Sequence, residues 1–199
     1  MSVTRNAYLL TTNPNSERTV FSRKILEKVG FNVIIFKALP HSCNVTSNKI
    51  SMQAIYEIIC NDNSYEWNYV FEDDIDLLEP ITLSEIIEYE KISNKVIYLG
   101  LCRYGVDKII NTGNIINRHI VYKTFGNTRG LHAIGLSRTG CKELLEFSKT
   151  SKHKYMDCIL ENFIELNPAN IIKYHLQSYI YGHRGIFFQN RRKFPSTII

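Results

Sequence analysis

The stretch Tyr69-Val70-Phe71-Glu72-Asp73-Asp74-Ile75-Asp76-Leu77 decides how the rest of the chain is read. An aromatic and β-branched run, the composition of a buried strand, leads directly into four carboxylates within five residues. Such a strand aims whatever follows it at its carboxyl end, where open α/β sheets place their ligands. Carboxylates crowded there repel one another unless a cation holds them, and hard divalent ions such as Mg²⁺ or Mn²⁺ take oxygen ligands. Glu72 and Asp74 are two residues apart, as are Asp74 and Asp76. In an extended segment that spacing points side chains to one side, so either pair could share a metal. The same letters also describe a plain acidic turn after a strand. The apolar neighbours Val70, Phe71, Ile75, Leu77 and Leu78 set the acids beside buried positions and favour the metal site.

Upstream, strands and helices alternate. Residues 7–11 form a first strand, and Asn13-Pro14 with Asn15-Ser16 supplies a turn and N-cap candidates. Val20, Phe21, Ile25 and Val29 recur at helical spacing before a C-terminal stop at Gly30. A second strand centres on Val33-Ile34-Ile35-Phe36. Ser47 then caps a helix with Ile50, Ala54, Ile55, Ile58 and Ile59 on its inner face, broken at Asn61-Asp62-Asn63-Ser64. Downstream, Thr82-x-x-Glu85 is a capping box, residues 95–100 are a fourth strand, and residues 102–118 read as a polar loop. Residues 119–124 read as an edge strand and residues 131–136 as another strand, after which Ser137 opens a helix bearing Leu144, Leu145 and Phe147. Met156, Ile159, Leu160 and Phe163 mark a further helix with Asp157 in its first turn, and residues 171–174 a last strand. The tail from Tyr181 reads as a loop. This order implies one α/β domain over residues 1–199, a mixed, mainly parallel sheet with helices on both faces.

The 44% hydrophobic and 22% charged composition is that of a globular protein with a real core. The net charge of +5 suits an anionic small ligand. Its basic residues are scattered rather than striped, which argues against nucleic acid; the one cluster, Arg191-Arg192-Lys193, reads as solvated charge. Five separated cysteines form no C-x-x-C, so neither a zinc site nor a disulfide framework is expected. Without an apolar leader or an 18-residue apolar run, the chain is expected to lack a transmembrane segment and to reside in the cytoplasm.

In the order of these features the chain resembles glycosyltransferase family 25, the lipopolysaccharide and collagen sugar transferases of GT-A fold. The likeness runs from Leu9-Leu10-Thr11-Thr12-Asn13, with Arg18 supplying an arginine, through Phe36-Lys37-Ala38 and Ser51-Met52-Gln53-Ala54-Ile55-Tyr56. It continues through Val70-Phe71-Glu72-Asp73-Asp74-Ile75, Tyr98-Leu99-Gly100 and Leu131-His132-Ala133-Ile134-Gly135-Leu136-Ser137 with Gly140, to Asp157 and Pro195-Ser196-Thr197-Ile198. The strongest match is the E-D-D after a strand, the family's metal motif of D-x-D type. Two places depart from the pattern: Thr12-Asn13-Pro14 replaces an aspartate and basic pair, and Ser51-Met52 replaces Ser-His.

The resemblance implies a GT-A-like nucleotide-sugar-binding fold and a metal-dependent hexosyltransferase. The donor would be a nucleotide sugar, a UDP-hexose, and the acceptor a hydroxyl of a glycan, lipid-linked glycan or glycoprotein. Mn²⁺ or Mg²⁺ would sit on Asp74, with Glu72 or Asp76 as second ligand and His183 from the C-terminal region, or His175 in its place. Whichever of Glu72 and Asp73 is off the metal would touch the donor, alongside Leu10, Thr11 and Thr12. Ala38 and His132 match the same donor-side segments, and Arg18 and Arg184 are candidates to pair with phosphate. Asp157 would be the base on the acceptor hydroxyl if the sugar centre inverts. Most of the family's specificity is expected in residues 102–130. Two other readings stay open: another metal-dependent nucleotide enzyme, and a non-catalytic sugar- or metal-binding module.

Overall fold

A computed structural model describes residues 4–101, 103–104, 109–126, 128–173 and 184–195. The first strand, β1 (Asn6–Thr11), is buried along its whole length. Helix α1 (Glu17–Val29) starts where the Ser16 hydroxyl accepts from the Thr19 N–H. It ends at Gly30, whose φ of 112° a side chain would strain and whose N–H reaches the Leu26 and Glu27 carbonyls. Strand β2 (Asn32–Lys37) returns parallel to β1. Then follow α2 (Asn44–Asn61), β3 (Trp67–Glu72), the short β4 (Ile75–Leu77), α3 (Leu83–Glu90) and β5 (Val96–Leu101). Thr82 and Glu85 form the expected capping box of α3.

The second half adds β6 (Arg103–Tyr104), β7 (Ile109–Ile116), β8 (His119–Thr124), β9 (Thr128–Arg129) and β10 (Ala133–Ser137). Helices α4 (Arg138–Thr150) and α5 (Met156–Leu166) precede β11 (Ala169–Lys173), β12 (Arg184–Gly185) and β13 (Phe187–Gln189). The main sheet has the order β2-β1-β3-β10-β5-β11-β8-β7, with β12 beside β5. Strands β2, β1, β3, β5 and β11 share one direction, and β10 runs antiparallel between β3 and β5. The sheet is therefore mixed with a parallel frame, as expected. Two small pairs complete the set, β4 with β13 and β6 with β9.

Strand alternation divides the core between the two faces of this sheet. Tyr8, Val70, Tyr98 and Ile134 meet Met52 and Ile55 of α2, Leu144 of α4 and Leu160 of α5. On the other face Leu9, Phe71 and Leu99 meet Leu26 of α1, Ile86 of α3 and Phe187 of β13. Phe31 is pinned there by Tyr69 and Phe71, with ring centroids 5.0 and 5.5 Å away. Among the described residues no helix is long and apolar enough to cross a membrane.

Three elements differ from the sequence reading. Helix α2 begins at Asn44 rather than at Ser47. Ser47 instead lies inside the helix and donates its hydroxyl to the Leu39 carbonyl at 2.6 Å. Within 102–118, Ile109–Ile116 is a strand, so β7 forms the sheet edge and β8 lies one place in. The tail contributes β12 and β13 where a loop is expected, and β13 is what closes the candidate site.

Candidate functional site at the carboxyl edge of the sheet

Strands β1 and β3 run in parallel register, so Leu10 stands opposite Glu72 where both strands end. The Glu72 N–H donates to the His132 carbonyl at 3.1 Å, which brings the entry to β10 to the same edge. Beside them the Ala38 N–H donates to the Thr11 carbonyl at 2.7 Å. Thr12 is exposed just past β1. Leu10, Thr11, Thr12, Ala38, Glu72 and His132, separate in sequence, thus gather at one edge. Leu10 and His132 are buried, at 6% and 0% exposure, and present no open side chain there.

At Asp73-Asp74 the chain turns into β4, and the turn gives each acid a different environment. Asp73 is tied into the protein. The Thr11 hydroxyl donates to one carboxylate oxygen at 2.6 Å, the Thr19 hydroxyl lies 3.2 Å from that oxygen, and Arg18 Nη2 is 2.7 Å from the other. The Ser22 hydroxyl holds the Asp73 carbonyl at 2.9 Å. Arg18 also approaches Asp74, Nη2 to Oδ2 at 3.4 Å, and its buried Nε has no hydrogen-bond partner. Asp76 points elsewhere, with Oδ2 accepting from Asn190 Nδ2 at 3.0 Å and Oδ1 from the Leu77 N–H at 2.8 Å.

Glu72 and Asp74 share one neighbour. Gln189 Nε2 lies 2.7 Å from Glu72 Oε2 and 3.4 Å from Asp74 Oδ1, while Gln189 Oε1 accepts from Arg191 Nη2 at 3.0 Å. Burial first, then the charges of Asp74 and Asp73, push Glu72 up to about 8, with Arg191 opposing. Asp74 is raised as well, chiefly by burial, with the Arg18 charge opposing. Both acids therefore hold protons more tightly than a free carboxylate, chiefly because burial disfavours the charged form. Of the two pairs open in the sequence, Glu72 with Asp74 converges and Asp74 with Asp76 does not.

Asp157 lies in the first turn of α5 and accepts the Cys158 N–H at 2.8 Å. Its charge adds only weakly to the rise at Glu72. His175 and His183 lie outside the described residues, and Arg184 pairs through its backbone with Leu101. Among the described residues no three His, Cys, Asp or Glu side chains form a metal-holding group. An oxygen-only pair of crowded carboxylates still fits a hard divalent ion, because such ions are commonly held by one or two carboxylates with water and substrate phosphate. An open groove of about 810 Å³, lined by residues such as Lys142, Glu146, Phe147 and Phe163, lies on α4 and α5 and includes none of these acids. Sequence reasoning missed Gln189 and Arg191. A single amide on a two-sided strand leaves no pattern, and Arg191 sits in a triplet that looks merely solvated.

No family model and no curated protein matches the chain. Among solved structures it is similar to A197 from STIV, at 13% identity and a TM-score of 0.48, over 84% of this chain and 81% of that one. It is also similar to a glycosyltransferase involved in the glycosylation of the major capsid of PBCV-1, at 10% identity and 0.45, over 76% and 72%. A third is UDP-glucose pyrophosphorylase complexed with UDP-glucose, at 13% identity and 0.44, over 86% and 73%. Likeness at this level does not extend to activity, which has to be read from the site itself.

Proposed function

We propose that the chain is a metal-assisted glycosyltransferase that moves a hexose from a nucleotide sugar, a UDP-hexose, to a hydroxyl of a glycan, lipid-linked glycan or glycoprotein. The observation that carries this reading is the buried Glu72–Asp74 pair at the carboxyl end of β3, two carboxylates that converge on one amide nitrogen. Glu72 and Asp74 would hold Mn²⁺ or Mg²⁺. When bound, a divalent ion offsets the negative charge that builds on a departing diphosphate. Arg18, locked to Asp73, adds a fixed positive charge beside Asp74 for the anionic part of the donor. Asp157 would be the base that takes the proton of the acceptor hydroxyl. The resemblance to family 25 suggests the reaction class, and the convergence of Glu72 and Asp74 supports the roles proposed for them.

Thermal unfolding with a panel of nucleotide sugars, each with Mn²⁺ or with chelator, tests this directly. A ligand at 100 times its Kd adds about 2.7 kcal/mol. At roughly 2–4 °C per kcal/mol for a chain of this size, that is a shift of about 5–11 °C. One UDP-sugar is expected to stabilise only with metal, and Asp74→Ala to lose that shift while staying folded. Asp157→Asn is expected to keep the shift and lose turnover. A metal-dependent shift that survives Asp74→Ala overturns the site assignment, and stabilisation by free sugar alone points to a binding module.

A further inference from the structure

Two carboxylates that must receive a cation face a conflict before it arrives. Left unsupported they repel one another and splay; each matched by its own protein cation they become ion pairs with no vacancy, and here, among the described residues, only Asp74 has one near, Arg18 at 3.4 Å. The group set between Glu72 and Asp74 is neither. Gln189 is 7% exposed, and its amide nitrogen lies within reach of both acids, at 2.7 and 3.4 Å. A primary amide nitrogen carries two N–H donors, enough for two acceptors, while its oxygen can only accept. Arg191 takes that oxygen at 3.0 Å, and this fixes which way the amide faces. Turned over, the carbonyl would meet two carboxylates and the NH₂ a guanidinium, a mismatch at both ends. The backbone adds a second grip: Gln189 pairs with Ile75 across β13 and β4, and the Asn190 N–H donates to the Asp74 carbonyl at 2.8 Å. Residues 189–191 thus hold Asp74 by main chain and side chain together, from 115 residues away.

We propose that Gln189, oriented by Arg191, is the positioning residue that keeps Glu72 and Asp74 side by side without neutralising them, so that the pair stays open to a divalent cation. This rests on the metal-assisted reading above. The charge of residue 189 is the deciding property. A neutral donor orders the acids and leaves their charge for the ion, whereas a cation at 189 would occupy the site from within.

The test is Mn²⁺ binding by calorimetry on the full chain, with no donor sugar, alongside the unfolding temperature in chelator. Gln189→Met keeps the length and removes the donor, and is expected to weaken Mn²⁺ about 10–100-fold, as loss of groups that orient ligands does. Gln189→Lys is expected to abolish Mn²⁺ binding while holding or raising the unfolding temperature in chelator, since a tethered ammonium would sit between the acids. Arg191→Met, which leaves the amide in place but unoriented, is expected to weaken Mn²⁺ several-fold. Gln53→Met is the control, since it breaks a part-buried bond to Ser148 of 3.0 Å in a different contact and should leave Mn²⁺ affinity unchanged. A merely structural role gives a different pattern: both Gln189 variants melt lower in chelator and bind Mn²⁺ as the wild type does, which overturns the proposal alone. A wild-type chain that ignores millimolar Mn²⁺ both alone and with UDP present overturns the metal reading and this proposal with it.

Discussion

Asp73→Ala is the perturbation whose cost follows most directly from the geometry. The carboxylate is engaged by Thr11, Thr19 and Arg18 at 2.6, 3.2 and 2.7 Å, and its side chain is 9% exposed. Removing one member of a buried ion pair costs about 3–5 kcal/mol, because the other charge stays behind in a poor solvent. Here the stranded charge is Arg18, 17% exposed, which keeps Asp74 at 3.4 Å and the Pro195 carbonyl at 3.5 Å. Those partial substitutes place the expected loss at the lower end, about 3 kcal/mol, or roughly 6–12 °C in unfolding temperature. Calorimetry in chelator reads this without interference from metal. Arg18→Met supplies the internal check, since with the guanidinium gone Asp73 is itself the stranded charge and Asp73→Ala should cost little. The difference between the two backgrounds is the coupling, expected at about 2 kcal/mol. An unfolding temperature within 2 °C of wild type, or the same cost in both backgrounds, refutes the lock between α1 and the turn after β3.

Two further outcomes are expected elsewhere. At Gly100 an added Cβ would lie 2.4 Å from the Phe187 carbonyl and 2.5 Å from His132 Nε2. Gly100→Ala must push β13 outward, so it should cost about 1–3 kcal/mol in stability and weaken Mn²⁺ binding through Gln189; an unchanged unfolding temperature and Mn²⁺ affinity would show that β13 does not seat there. Cys60 is pulled down to about 7, first by the neighbouring thiol of Cys141 and then by the Lys142 and Lys149 charges, against the effect of burial. Its thiolate therefore persists to lower pH than an ordinary cysteine's, and alkylation by iodoacetamide, followed by peptide mass spectrometry, should show a midpoint near 7. Cys141→Ala should return that midpoint toward the usual thiol value of about 8.5, and a wild-type midpoint already there would show that the pairing is absent in solution.

The frame of the fold was legible because local chemistry and burial agree along it. The runs 7–11 and 67–72 are apolar enough to be buried on both sides, and Gly30, the Thr82–Glu85 box and Ser137 mark helix ends by side-chain chemistry alone. Where an end lacks such chemistry it was misplaced: Cys43 makes no capping bond, so the start of α2 leaves no sign in the sequence. Strand β7 reads as loop in the sequence because an edge strand with exposed Asn and Gly has no alternation to detect. At the site, the acidic stretch could be found from sequence, but its internal division of labour could not. Asp73, Asp74 and Asp76 look alike as letters, and their roles differ only through Thr11, Thr19, Arg18, Gln189 and Asn190. Every one of those partners lies far along the chain, beyond the reach of any local periodicity.

The insertion of β13 beside β4 also dictates an order of events during folding. Glu72 and Gln189 are separated by 117 residues, so their contact closes one of the longest loops in the molecule. Closure of that kind is entropically unfavourable until the intervening sheet has drawn its ends together. On the ribosome, β1, β2 and β3 emerge and can pair well before residues 187–191 come out. The acids therefore spend synthesis at the end of a formed strand without their amide, exposed and mutually repelling. A nascent chain would acquire the β1–β3 part of its sheet first and its capacity to take up a cation only as β13 docks.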